Sequence, residues 1–327
     1  MTAKNTVTVQ ETFYQLNKRL GIENIKRIDE LPQTKNSIVS TGVIGLDIAL
    51  GVGGIKKGSI VEIYAPESAG KTTLALQMCK QYQKQNMPVL YIDSERTLTR
   101  ETIESMGIGS ENFYVLNVDT IEKALEICKM CASTFGAIVI DSLAGTICKA
   151  QMDGDVGDSH VGTFARIMSD ALPMLVPVLA DNECTLIVIT QLREKVGVMF
   201  GNPERAIGGR ALKYYASVRL DMRGIESIKN NGEEVGRRTR VKVVKNKIAT
   251  PFKSTEFDIM FGQGISVEGD ALDQAVEKGI ITKYSAWYSY NGNKIGQGRE
   301  NAKQYLKDHP TEFEEIVNRL RDAHGIA

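Results

Sequence analysis

The nine residues Ala65-Pro66-Glu67-Ser68-Ala69-Gly70-Lys71-Thr72-Thr73 constrain this chain more than any others. They follow a β-rich run, Ser59–Tyr64, and open directly into apolar spacing of helical period over residues 71–85. A strand, a tight loop and a helix in that order gather backbone N–H groups around one point, which suits phosphate. Lys71 is expected to reach the β and γ phosphates of a nucleotide, and the Thr72 hydroxyl to ligate Mg²⁺. Pro66, Glu67, Ser68, Ala69, Gly70 and Thr73 complete the predicted ATP loop. The usual pattern opens with glycine, and Ala65 stands there instead. Alanine keeps such a loop where φ is negative and is strained where φ is positive.

Three more β-rich runs end in polar groups. Ala137–Ile140 leads into Asp141, predicted to hold Mg²⁺ through water. Val89–Ile92 leads into Asp93-Ser94-Glu95, and Glu95 can orient and deprotonate an attacking water. Leu186–Thr190 leads into Gln191, suited to sense a γ-phosphate. Together with the loop, these strand ends predict one site at the carboxyl edge of a sheet. A plain turn at the loop and a plain helix-capping Asp141 are the alternatives, and each is weakened by the presence of the other.

Helical periods at about 71–85, 119–134 and 161–181 separate these runs, with a further run at Phe113–Asn117. The alternation predicts an α/β fold with a mostly parallel sheet covered on both faces. Later runs, Ser217–Arg223, Arg238–Lys247 and Ser254–Ile259, are separated by turn residues and read as hairpins extending that sheet. Three domains are expected: residues 1–36, a short amphipathic helix (Val9, Phe13, Leu16 and Leu20 on one face) and a polar linker; residues 37–264, the ATPase core; and residues 265–327, a small α/β domain.

The 40 Lys and Arg balance 40 Asp and Glu, so any nucleic-acid surface must be local. Five cysteines in a long chain read as reduced, and Cys128 and Cys131 fall on an apolar helical stripe rather than in a metal site. No apolar run approaches the ~20 residues a membrane span needs, and the start of the chain lacks a signal-peptide core. A cytoplasmic protein without membrane contact is expected.

Beyond the loop, longer blocks stand out: Ser40-Thr41-Gly42 with Leu46-Asp47-Ile48-Ala49-Leu50-Gly51; Gly157-Asp158-Ser159-His160; Gly197-Val198-Met199-Phe200-Gly201-Asn202-Pro203-Glu204; Val241-Lys242-Val243-Val244-Lys245-Asn246-Lys247; and Ala286-Trp287-Tyr288-Ser289-Tyr290. From about Asn24 to Leu306 the chain resembles the family of bacterial RecA recombinases. The resemblance implies a RecA-like P-loop core and an ATP-dependent helical filament of identical chains. Such a filament forms on single-stranded DNA, pairs it with homologous double-stranded DNA and exchanges strands. It further implies contact with a LexA-like repressor and docking of the N-terminal helix on the next protomer.

The resemblance also assigns residues. The first DNA segment covers about 152–163, with Gly157 and His160, and Arg166 lies just beyond it. The second covers about 193–210, with Arg193, Lys195, Val196, Arg205, Gly208, Gly209 and Arg210. Both are Gly-rich and poor in aromatics, so the backbone charge of DNA rather than base stacking is the expected grip. Lys245 and Lys247 match two lysines that reach a neighbour's γ-phosphate and act as an arginine finger does. Flanking Asn246 on a strand, they are expected to share a face. They belong to a run over 237–253 that holds no acid, for which a solvated strand face is the plain alternative.

Three departures predict a diverged member of the family. Thr99 and Thr102 occupy positions where an Asp and an adenine-stacking aromatic are usual, which leaves Phe261 to contact the base. Pro173 replaces a residue that is often basic, and the chain stops at His324-Gly325-Ile326-Ala327 without an acidic tail. A ring-forming helicase would share Lys71, Glu95 and Asp141 but not the Gly157–His160 block or the final domain. A non-catalytic filament scaffold is at odds with the full set Lys71, Thr72, Glu95, Asp141 and Gln191.

Overall fold

The computed structural model describes residues 8–21, 27–30, 37–155, 162–194, 204–206 and 209–326, with 193, 194, 204–206 and 209 described by backbone alone. Two units separate, Met1–Asn36 and Ser37–Ala327. In the first, helix α1 (Val9–Leu20) starts at a capping box. Thr8 Oγ1 accepts from the Glu11 N–H at 3.2 Å and Glu11 Oε2 accepts from the Thr8 N–H at 2.8 Å. Gly21 closes the helix at φ 62°. Val9, Phe13 and Leu20 remain exposed, so this apolar face has no cover among the described residues of its own unit.

The second unit begins with β1 (Ile38–Val39), α2 (Ile44–Leu50) and β2 (Ile55–Lys56). The alternating core follows: β3 (Ile60–Ala65), α3 (Lys71–Lys84), β4 (Val89–Asp93), α4 (Arg100–Ser105), β5 (Phe113–Leu116), α5 (Ile121–Cys131), β6 (Ala137–Asp141), α6 (Lys149–Met152), α7 (Thr163–Asp181) and β7 (Thr185–Glu194). Strand β8 (Glu204–Ala206) pairs antiparallel with β7, and α8 (Gly209–Tyr215) precedes the long hairpin of β9 (Val218–Asn230) and β10 (Glu233–Asn246). Then come β11 (Ser254–Met260) and β12 (Gly264–Ile265). The main sheet runs β12-β11-β10-β9-β3-β7-β6-β4-β5. Strands β9, β3, β7, β6, β4 and β5 pair in parallel, and β9 to β12 pair antiparallel, as the alternation and the hairpin runs predict.

Burial explains the pattern. β3, β4 and β6 are buried at every position, which is why β4 and β6 are apolar up to a terminal Asp and β3 is apolar except at Glu62, rather than alternating. One core, with Leu74, Tyr82 and Phe257, lies under α3; another, with Leu172, Leu175 and Leu179, lies under α5 and α7. Each of those three leucines contributes roughly 1.5–3 kcal/mol by leaving water. Cys128 is fully buried in this second core and Cys131 packs against it, as their stripe predicts. One expectation is corrected: α7, at 19 residues, is long and apolar enough to cross a membrane by length and composition. It is instead a cover helix of the sheet, with its leucine face on β-strand side chains.

Inside β3, buried Glu62 pairs with Arg219 of β9 and accepts from Thr190 Oγ1 of β7 at 3.2 Å. Arg219 also lies 4.8 Å from the Tyr64 ring centroid. The acid thus ties three neighbouring strands at the centre of the sheet.

The chain ends with α9 (Val267–Glu277), the small sheet β13 (Thr282–Tyr284), β14 (Trp287–Tyr290) and β15 (Asn293–Gln297), then α10 (Arg299–Asp308) and α11 (Pro310–His324). Its core, with Leu272, Tyr288 and Ile316, also takes in Ile44 of α2. At this joint Asp270 is buried, and its Oδ2 accepts from the Gly45 N–H at 2.9 Å while Oδ1 has no hydrogen-bond partner. Burial, with the nearby acids Asp47 and Asp273, pushes its pKa up to about 7 against the pull of that bond and of Arg238. The folded state therefore holds this proton more tightly than the unfolded state between its ordinary 3.8 and about 7. Stability from this group is greatest at the acid end of that window and is lost as pH rises through it. Asp270→Asn keeps an acceptor for Gly45 and removes the buried charge. Thermal melts should show Tm at pH 8 raised by a few degrees, with less gain at pH 5; a lower Tm at pH 8 would show that the charge itself holds the joint.

Candidate functional site

The four strands whose ends carry the predicted chemistry, β3, β7, β6 and β4, are consecutive neighbours in the sheet. Their carboxyl ends open into a cavity of about 520 Å³. Glu67, Ser68, Ala69, Gly70, Lys71, Thr72, Thr73, Glu95, Asp141, Gln191 and Phe261 line it, so the sequence-predicted residues converge. Pro66 is exposed and contributes its carbonyl, which accepts from Lys71 Nζ at 2.8 Å.

The loop keeps its shape for local reasons. Ala65 is the last residue of β3, paired with Gln191 of β7, and is absent from the positive-φ residues. The departure from glycine therefore costs no backbone strain. Gly70 cannot be replaced so easily. It caps α3 at φ 90°, and a Cβ there would come within 2.2 Å of Ile259 Cδ1.

Asp141 Oδ2 accepts from Thr72 Oγ1 and from Tyr91 OH, both at 2.7 Å. Burial raises the Asp141 pKa, Glu95 and Asp93 add to the rise, and the two hydroxyl donors oppose it. Burial lowers the Lys71 pKa against the pull of Asp141, Glu95 and Glu67. The buried Asp141 carboxylate and the Thr72 hydroxyl stand together, with the Lys71 ammonium near enough to feel Asp141 but not ion-paired to it among the described residues. Two hard oxygens of this kind fit Mg²⁺, which takes its remaining ligands from water and phosphate. Among the described residues no cluster of three or more His, Cys, Asp or Glu side chains could hold a metal alone.

Glu95 Oε1 accepts from Ser142 Oγ at 2.5 Å and from Gln191 Nε2 at 3.4 Å. Ser94 Oγ donates to the Ser142 carbonyl at 2.6 Å, which fixes the strand end that carries the Ser142 donor. Both contacts on Glu95 use one oxygen, leaving Oε2 open to a water. Tyr91, Ser142, Arg237, Thr239 and Ile259 belong to the site and are not among the residues that the sequence motifs single out. Period-two alternation through β4 and β10 is the signal that could have found Tyr91, Arg237 and Thr239.

Thr99 caps α4, accepting from the Thr102 N–H at 3.2 Å, and the two hydroxyls lie 3.1 Å apart. Neither lines the cavity, whereas Phe261 does and is 52% exposed.

Lys245 lies on β10, paired with Arg219 of β9, and Lys247 follows the strand end at Asn246, where its N–H still donates to the Ser217 carbonyl at 3.0 Å. Burial and then the nearby Lys247 charge lower the Lys245 pKa. Lys245 Nζ donates to the carbonyls of Lys213 and Tyr214 at 2.9 and 2.8 Å, at the C-terminal end of α8, while Lys247 is exposed. Neither lines the cavity of its own chain. The basic run over 237–253 is not one surface. Arg238 is ion-paired to Asp258 and Asp273, and Arg240 to Glu256.

Of the residues expected to contact DNA, Arg166 is exposed in the first turn of α7 and Arg210 is exposed in α8. Gly209 starts α8, and Arg193 and Arg205 pair in register between β7 and β8. Gly157, His160, Lys195, Val196 and Gly208 lie outside the described residues.

Comparison with known proteins gives the same frame. Residues 7–266 match the RecA N-terminal domain model and residues 269–325 the RecA C-terminal domain model. Protein RecA of Clostridium novyi (strain NT) is 48% identical over 320 residues, covering 97% of this chain and 91% of that protein. Protein RecA of Bifidobacterium longum (strain NCC 2705) is 46% identical over 325 residues, covering 99% and 82%. The crystal structure of the RadB recombinase superposes with a TM-score of 0.51 at 21% identity, covering 70% of this chain and 98% of that one, a likeness of fold.

Proposed function

This chain belongs to the RecA family, is a DNA-dependent ATPase of homologous recombination and strand exchange, and from that premise we propose residue roles at the sheet edge. ATP lies along the cavity with its phosphates over the N-terminus of α3. The N–H groups of Gly70, Lys71, Thr72 and Thr73 and the Lys71 ammonium take the anionic charge. Thr72 and Asp141 would hold Mg²⁺, which would supply charge neutralisation to the phosphates. Gln191 faces the γ-phosphate. Glu95, oriented by Ser142 through Oε1, receives the proton of the attacking water on Oε2. The observation that carries this reading is the meeting of Lys71, Thr72, Asp141, Glu95 and Gln191 in one cavity from four adjacent strands.

Assembly supplies the rest of the proposal. Lys245 and Lys247 serve a neighbour's site rather than their own, supported by their absence from the home cavity. Lys245 sits on the end of α8, the helix that follows the second DNA segment, so ordering of that segment on DNA and placement of Lys245 are mechanically connected. Arg166, Arg210 and the two segments contact the DNA backbone. The uncovered apolar face of α1 docks on the next protomer. Contact with a LexA-like repressor and a cytoplasmic location are carried over from the family.

Lys71→Ala tests the ATP site. The variant should bind ADP about 10–100-fold more weakly by calorimetry, the worth of charge-assisted hydrogen bonds lost from an anionic ligand. Unchanged ADP affinity would move the phosphates elsewhere.

A further inference from the structure

The cavity has two walls of different character. Gln191, Asp141 and Glu95 come from the β7-β6-β4 side of β3, and these are the groups assigned to the terminal phosphate. Arg237, Thr239, Ile259 and Phe261 come from β10, β11 and the residue just beyond, on the opposite side of β3. A triphosphate with its terminal group on the first wall directs its nucleoside half to the second.

Arg237 is the cation of that second wall. It pairs in register with Ile259, whose side chain lies against Gly70 at the end of the phosphate loop. Its Nη1 donates to the Ser68 carbonyl at 3.3 Å, beyond the usual range for N–H···O. It forms no ion pair among the described residues, whereas its neighbour Arg238 has three acids, Glu256, Asp258 and Asp273. A guanidinium carries five donors in a planar fork suited to phosphate and able to stack on rings. Here one weak bond is made, and the group borders a cavity built for an anion. Thr99 and Thr102, meanwhile, bond each other outside the cavity.

We infer that Arg237 binds the nucleoside half of ATP and ADP, supplying affinity on the side where Thr99 and Thr102 do not reach. The inference rests on the proposed ATP site. A contact with this half of the ligand is made equally to substrate and product, so it sets affinity without sensing the γ-phosphate.

Three probes separate the roles: ATP, ADP and inorganic tripolyphosphate, each titrated by calorimetry against the full chain with Mg²⁺. ATP is titrated in a Glu95→Gln background to prevent turnover. Arg237→Ala should weaken ATP and ADP by a similar factor, about tenfold, and leave tripolyphosphate as in the parent. Arg237→Lys should recover part of the loss, because a point charge replaces the planar fork. Circular dichroism of both variants establishes that they fold as the parent does. Equal losses for ADP and tripolyphosphate would assign Arg237 to loop shape through Ser68 and overturn the inference. So would parental ADP affinity in Arg237→Ala. Lys71→Ala distinguishes the two levels: if it loses both ADP and tripolyphosphate while Arg237→Ala matches the parent, this inference alone fails. If Lys71→Ala binds both normally, the ATP site itself is misplaced and the inference falls with it.

Discussion

Glu95→Gln is expected to bind ATP and assemble on DNA while its turnover falls by about 10²–10⁴, the usual worth of a positioned general base. The amide keeps the size of the carboxylate, and its oxygen still accepts from Ser142 Oγ and Gln191 Nε2, which both address Oε1. What is lost is the second oxygen as a proton acceptor. Lys71, Thr72 and Asp141 are untouched, so nucleotide affinity should stay within a small factor. Rapid-quench measurement of phosphate release at saturating ATP and single-stranded DNA reads the effect. Turnover at the parental rate would remove Glu95 from the reaction and leave Asp93, the next acid of that strand end, to be considered. Asp93 is a weaker choice, because its Oδ2 is already engaged with the Leu98 N–H at 2.8 Å.

Replacing Lys245 and Lys247 together by alanine should lower DNA-stimulated turnover by about 10³–10⁵, the range for cations supplied in trans to a γ-phosphate. The home cavity contains Lys71 and the half-buried Arg237, and neither lysine of the pair enters it. The double variant should therefore bind ADP as the parent does. Its α8 end loses the two bonds from Lys245, so local opening of that helix is expected by hydrogen exchange. A loss of ADP affinity equal to the loss of turnover would place the lysines in their own chain's site.

Much of this architecture is legible in the order of the amino acids. Apolar runs mark β4, β6 and β7 because both faces of each are covered, and the polar residues at their carboxyl ends mark the sheet edge. Asp141, Glu95 and Gln191 lie at those ends. The rule says nothing of partners distant in sequence, so the Tyr91–Asp141 and Ser142–Glu95 hydrogen bonds are not legible. Arg237 is hidden differently. It sits in a run of like charges that reads as one solvated face. A strand sends alternate residues to opposite faces, putting Arg237 and Thr239 at the cavity and Arg238 among acids. Lys245 and Lys247 are legible as a pair of cations, but the seat of Lys245 on the end of α8 is made by residues distant in sequence. Ala65 raises a question of φ that sequence does not answer. Its place in β3, beside Gln191, answers it.

Whether two chains complete one pocket is decided by mixing two inactive proteins. Lys71→Ala keeps its donor lysines beside a ruined phosphate site, and the Lys245→Ala, Lys247→Ala double variant keeps an intact site without donors. Co-assembled on single-stranded DNA, some interfaces join an intact pocket to intact lysines. DNA-dependent ATP hydrolysis should appear in the mixture and be absent from either protein alone. Mixed filaments, verified by labelling both chains, that remain as inactive as their parents would contradict a site shared between neighbours.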